Sequence, residues 1–153
     1  MKIPKIVFLL AAITGSSAYA ECAISGSQSA ELNTILAENK GWSFDGYDAL
    51  CHKLEKANAG VNVEQSVQYS DTQITISTRV TLYPLEVAEK YNFKLLTRQS
   101  YSLLGYTHER TSDAERHERY RNANAALNAL STSENPMDTQ LKELAIIRGI
   151  VKP

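Results

Sequence analysis

The chain has 153 residues, 43% of them hydrophobic and 22% charged, with a formal net charge of -1. That length and balance bound it to about one globular domain, large enough to bury a core without a structural metal. The absence of a basic excess argues against a nucleic-acid partner, and no apolar run reaches the roughly 20 residues that span a bilayer.

Residues 1–20 read as a secretory signal. Lys2 and Lys5 open it, Ile6 to Ile13 is apolar, and Ala18-Tyr19-Ala20 supplies the small-x-small site of a signal peptidase. The expectation is cleavage after Ala20 and a mature domain over residues 21–153, periplasmic or secreted, with no stable membrane insertion after cleavage. Losing Lys2 and Lys5 leaves 14 basic side chains of the original 16 against 17 acidic ones.

Cys22 and Cys51 are the only two cysteines. In an oxidising compartment an even pair in a small domain predicts a disulfide, closing a loop of about 30 residues. There is no C-x-x-C, so a redox or nucleophilic role lacks its usual signature.

Next along the chain, Leu32, Ile35 and Leu36 share one helical face, predicting a helix from Ser29 to Lys40 with Gly41 as its left-handed stop. Asp45 is the expected N-cap of a second helix, with Tyr47, Leu50, Cys51, Leu54 and Ala57 on its apolar side and Asn58-Ala59-Gly60 at its end. The period then changes to two. Val61, Val63, Val67 and Tyr69, then Ile74, Ile76, Val80 and Leu82 after the Ser70-Asp71 turn, predict an antiparallel hairpin over residues 61–82.

Pro84 suits the first turn of a short helix with Leu85, Ala88 and Tyr91 on its inner face. Phe93, Leu95, Tyr101 and Leu103 alternate like a strand while Leu96, Gln99 and Leu103 fit the continuation of a helix, and of the two a third strand within residues 94–104 is the expectation. Ser112-Asp113-Ala114-Glu115 matches a capping box and starts a helix to about Leu130. Its inner face is read as His117, Tyr120, Ala123, Leu127 and Leu130, its outer face as Arg116, Arg119 and Arg121. Asn135-Pro136 starts a last helix, with Leu141, Leu144 and Ala145 inward and Gly149 as its stop. The whole predicts an α+β domain, a small antiparallel sheet packed with N-terminal and C-terminal helices.

The chemistry is sparse. His108, Glu109, His117 and Glu118 could ligate a metal or pass protons, but the spacing is not H-E-x-x-H. His108 and His117 are therefore weak metal candidates, and a solvated, salt-bridged helix explains them as well. His52, beside Cys51, reads as structural or surface. Gly-x-Ser-x-Gly and a glycine-rich phosphate loop are absent, so no catalytic residue and no cofactor is assigned.

Composition carries more. Six of the seven arginines and five tyrosines lie between Arg79 and Arg121, and both residue types are enriched at protein interfaces. The leading expectation is an exported, non-catalytic interaction module that docks a protein of the cell envelope through Arg110, Arg116, Arg119 and Tyr120. A small-ligand or anion carrier using Arg79, Arg98 or Arg110 is the alternative, followed by an envelope hydrolase or metal-dependent enzyme.

Overall fold

The computed structural model describes residues 22–151, so the signal sequence read over residues 1–20 lies outside the described residues. In chain order the elements are β1 (Gly26–Gln28), α1 (Ala30–Glu38), α2 (Tyr47–Lys56), β2 (Ala59–Tyr69), β3 (Ile74–Pro84), α3 (Leu85–Tyr91), β4 (Tyr101–Thr107), α4 (Ser112–Thr132) and α5 (Glu134–Val151). The fold is α+β, with helices packed on a small sheet.

Among the described residues the sheet has four strands in the order β1-β2-β3-β4. β2, β3 and β4 are antiparallel neighbours, as the period-two pattern predicts, but β1 runs parallel to β2 and makes the sheet mixed. Nothing in Gly26-Ser27-Gln28 alternates in hydrophobicity, so this strand has no sequence signature. Tertiary constraints place it: Cys22 is bonded to Cys51 on α2, and Val61 N–H donates to the Ser25 carbonyl at 3.0 Å.

Register explains the core. Val61 lies opposite Leu82 and Val63 opposite Val80, and these buried residues meet Leu32, Leu50, Leu127, Met137 and Leu144 from α1, α2, α4 and α5 in one cluster. On the other face Glu64, Ser66, Gln68, Arg79, Ser102, Leu104 and Tyr106 are exposed. One sheet face is thus hydrophobic and covered, the other mainly polar and open along much of its length.

Several boundaries differ from the expected ones for local reasons. α1 starts at the Ser29 cap, whose Oγ accepts from Leu32 N–H at 3.2 Å. It closes with Gly41 N–H on the Leu36 carbonyl (2.8 Å) and Lys40 N–H on that of Ala37 (3.3 Å), a Schellman pattern in which Lys40 itself takes the left-handed position. α2 is capped by Gly46, not Asp45, and by no side chain of its own. Gly46 N–H donates instead to Asn128 Oδ1 of α4 at 2.9 Å, and a Cβ on Gly46 would sit 2.8 Å from Ser131 Cβ. The loop lies so close to α4 that only glycine fits.

The third strand begins at Tyr101, later than expected, because Thr97 occupies the edge of β3 before it. Thr97 N–H donates to the Leu82 carbonyl (2.8 Å), while its hydroxyl accepts from Leu82 N–H (3.0 Å). A side-chain oxygen there takes the place of a ladder carbonyl, and residues 94–100 form no strand. α3 buries Val87, and Tyr91 is exposed. The α4 cap is Thr111, one residue before the expected capping box, with Thr111 Oγ1 accepting from Ala114 N–H at 3.1 Å. α5 continues through Gly149 to Val151, and its Ala145 is exposed. Glycine costs a helix about 1 kcal/mol relative to alanine but stops it only when the chain turns left-handed, which Gly149 does not.

Candidate functional site

The apolar residues of α4 face inward as their period predicts, with Ala123, Leu127 and Leu130 buried, but the buried side also takes in polar residues. Glu118, Arg119 and Asn122 are buried, whereas His117 is exposed. Arg119 is therefore not an outer-face residue and His117 not an inner-face one. The cause is polar packing: Thr78 on β3 donates to Asn122 Oδ1, and Gln65 on β2 donates to the Arg119 carbonyl at 2.9 Å. Hydrophobic periodicity registers the apolar face of the helix but not the polar side chains that hydrogen bonds bury beside it.

The expected binding residues do not form one surface. Arg119 Nε donates to Glu115 Oε1 at 2.9 Å and its Nη2 lies 3.2 Å from Glu31 Oε2, while Tyr69 donates its hydroxyl to Glu115 Oε2 at 2.7 Å. This network ties α4 to α1 and to the end of β2. Tyr120 donates to the Gly41 carbonyl at 3.1 Å, and Arg116 pairs with Glu38, so both hold the end of α1. Arg110 Nη1 donates to the Asp71 carbonyl (3.3 Å), and His108 Nδ1 lies 3.2 Å from that of Thr72. These last two residues latch the end of β4 to the hairpin turn.

The network has an electrostatic signature. Burial pushes the Glu115 carboxyl up, but the hydrogen bonds from Tyr69 and Arg119 outweigh it, and its pKa falls below the usual glutamate value. Tyr69, whose hydroxyl bonds to that carboxylate, is raised. A depressed carboxyl stabilises the fold above its unfolded pKa, about 4.3, and that contribution disappears as pH falls through the lower folded value. Glu86, depressed chiefly by its hydrogen bond from Arg148, acts in the same direction. Urea unfolding between pH 6 and pH 3 should therefore show an acid-labile stability that is reduced, not abolished, in Glu115→Gln. Parallel profiles for the two proteins would remove Glu115 as a source.

His108 and His117 are not brought together. Among the described residues the cluster that groups three metal-ligating side chains is Cys22, His52 and Glu55, and the Cys22 sulfur is already bonded to Cys51. The arginines of the anion reading are also dispersed. Arg79 lies on the open sheet face, Arg98 lines a groove beside Lys142 and Glu143 of α5, and Arg110 sits at the hairpin turn. An open groove of about 430 Å³ lies between α4 and the 43–45 segment, lined by Phe44, Asp45, His117, Tyr120 and Arg121. Asn124 and Asn128, also in its wall, accept from Ser43 and Gly46 N–H, so their carbonyl oxygens hold the loop.

A different feature stands out at the far side of the sheet. β4 is a terminal strand, paired with β3 alone, and among the described residues no backbone bond reaches its other edge. Its seven residues, Tyr-Ser-Leu-Leu-Gly-Tyr-Thr, include no charge and no proline. Tyr101 and Leu103 face the core, whereas Leu104 and Tyr106 point outward, 71% and 59% exposed. Beneath them α4 packs directly on the strand: a Cβ on Gly105 would lie 2.2 Å from Glu118 Oε1 and 2.4 Å from Asn122 Nδ2. Glu118 is in turn held by both Arg121 nitrogens at 2.8 Å. The edge is thus long, uncharged and rigidly backed.

Exposed strand edges are usually blunted by lysine, proline, a bulge or shortness. β1, the opposite edge, is three residues long. Among the described residues β4 has no such protection. Its sequence signal was an uncharged stretch, Gln99 to Thr107, inside the most charged half of the chain. Comparison with protein-family models, curated proteins and solved structures found no match to this chain.

Proposed function

We propose that the chain is an exported, non-catalytic protein-interaction domain that docks its partner on the β4 margin: the free backbone edge together with Leu104 and Tyr106. The observation that carries this reading is the unblunted edge, because free N–H and C=O groups in a row template the addition of another strand. The margin lies within the Arg79–Arg121 half of the chain, but its contact chemistry is that of a strand edge with an aromatic and a leucine, not of the arginines. Export rests on the signal sequence at residues 1–20 and on a cysteine pair suited to an oxidising compartment.

The test is capture from envelope extract on the immobilised chain from residue 21, read by mass spectrometry. A protein held by the wild type and by Arg116→Ala, yet lost from Leu104→Lys and Tyr106→Lys, is the expected result. Equal capture by all four proteins would move the contact elsewhere.

A second reading draws on the groove between α4 and the 43–45 segment, whose 430 Å³ and aromatic walls fall in the range of small-ligand sites. Native mass spectrometry of protein purified from its host would detect such a ligand directly.

A further inference from the structure

We infer that the β4 edge is occupied by a second copy of this chain, paired antiparallel about a two-fold axis at Leu104. The inference rests on the proposed docking role of that margin and names its partner.

A two-fold contact needs a patch complementary to itself. β4 meets that demand because antiparallel self-pairing opposes no like charges: Tyr101 to Thr107 are all uncharged. Leu104 is the middle residue of the seven. With the axis there, Leu104 lies across from Leu104 of the other copy, and Tyr106 across from its Ser102. All three side chains are on the open face of the sheet, within the distances at which cross-strand pairs interact. The first charged residues come outside the paired stretch. His108 and Arg110 reach back to the hairpin turn, and the backbone N–H groups of Arg98 and Gln99 are held by Glu143 of α5 at 2.7 and 3.0 Å.

Geometry supports the same partner. α4 backs β4 at Gly105, so the strand is presented as a fixed template, and joining two four-stranded sheets at this edge makes one continuous sheet. An acidic or basic peptide would find no charge along the edge to read. A seven-residue edge is a small contact of the kind found in weak, transient interfaces, so the dimer is expected to depend on concentration.

Sedimentation velocity of the chain from residue 21 tests this on the purified protein. The expected result is a dimer at about 100 µM that dissociates towards about 1 µM, and loss of the dimer in both Leu104→Lys and Tyr106→Lys with circular dichroism unchanged. Register is read separately by air oxidation. Leu104→Cys should form an intermolecular disulfide with itself, whereas Ser102→Cys should not, because its opposite residue is Tyr106. A protein that stays monomeric at 100 µM, or a dimer that survives both lysine variants, would overturn the second copy as occupant. Capture of a different protein, lost with the same variants, would then leave the docking margin standing with another partner.

Discussion

Replacing Cys22 and Cys51 together with alanine should lower the unfolding free energy by roughly 3 to 4 kcal/mol, the chain-entropy value for closing a loop of about 30 residues. The two cysteines are 29 positions apart and joined in the fold. Against a total of ~5–15 kcal/mol for a domain, this is a large share, and a fall in Tm on the order of 10 °C should accompany it. The loss should be local as well as global. Tyr47 donates its hydroxyl to the Cys22 carbonyl at 3.2 Å, and the chain then runs through Ser25 into β1, so the bridge fixes the entry to the shortest strand of the sheet. Hydrogen exchange at residues 26–28 should quicken more than at the centre of β3. Calorimetry of the wild type with and without a dithiol reductant gives the same comparison without mutation. Equal melting of the two forms would mean that the bridge contributes nothing to the folded state.

Leu127→Ala should cost about 3 kcal/mol, within the 2–5 kcal/mol of leucine deletions in a core, while Leu104→Ala should change the stability of the single copy by no more than about 0.5 kcal/mol. Leu127 is fully buried in α4, where it meets the leucines of α1, α2 and α5, and Leu104 is 71% exposed on β4. Truncating Leu127 removes transfer energy and leaves a cavity that rigid helices close only partly. Truncating Leu104 removes a side chain that water already surrounds. Urea titrations of both variants at about 1 µM, below the expected dimer range, would check the pair. A large effect from Leu104→Ala under those conditions would mean that the residue serves the fold of one copy, and the functional reading of β4 would lose its support.

Much of the fold was legible along the chain. The hairpin was readable because strict alternation at residues 61–82 admits only one face for the core, and β2 and β3 extend that reading by two residues at each end. α1 was readable from Leu32, Ile35 and Leu36 on one face, and Ser29, the expected first residue, is the cap just before it. The disulfide was readable because the chain has two cysteines, which admit one pairing. The interaction candidates fared differently. Arg119 and Tyr120 belong to the enriched residue types of interfaces, yet each is bound within the molecule, to Glu115 and Glu31 or to the Gly41 carbonyl. Composition reports which groups are present, and an arginine can bury itself against two carboxylates as readily as it can wait for a partner.

What the chain determined by itself is what a regular apolar period and the cysteine count govern: the helices, the hairpin of β2 and β3, and the pairing of Cys22 with Cys51. Tertiary structure alone decided the rest. β1 exists because a bridge and a parallel neighbour hold three residues with no strand pattern of their own. The burial of Asn122 and Arg119 on α4 goes with Thr78 and Gln65, more than 40 residues away, through hydrogen bonds that hydrophobicity does not encode. Above all, whether a strand is central or terminal depends on how many neighbours the finished sheet gives it. Tyr101 to Thr107 would read the same in either place, and only the assembled order β1-β2-β3-β4 leaves their outer backbone groups without a backbone partner among the described residues.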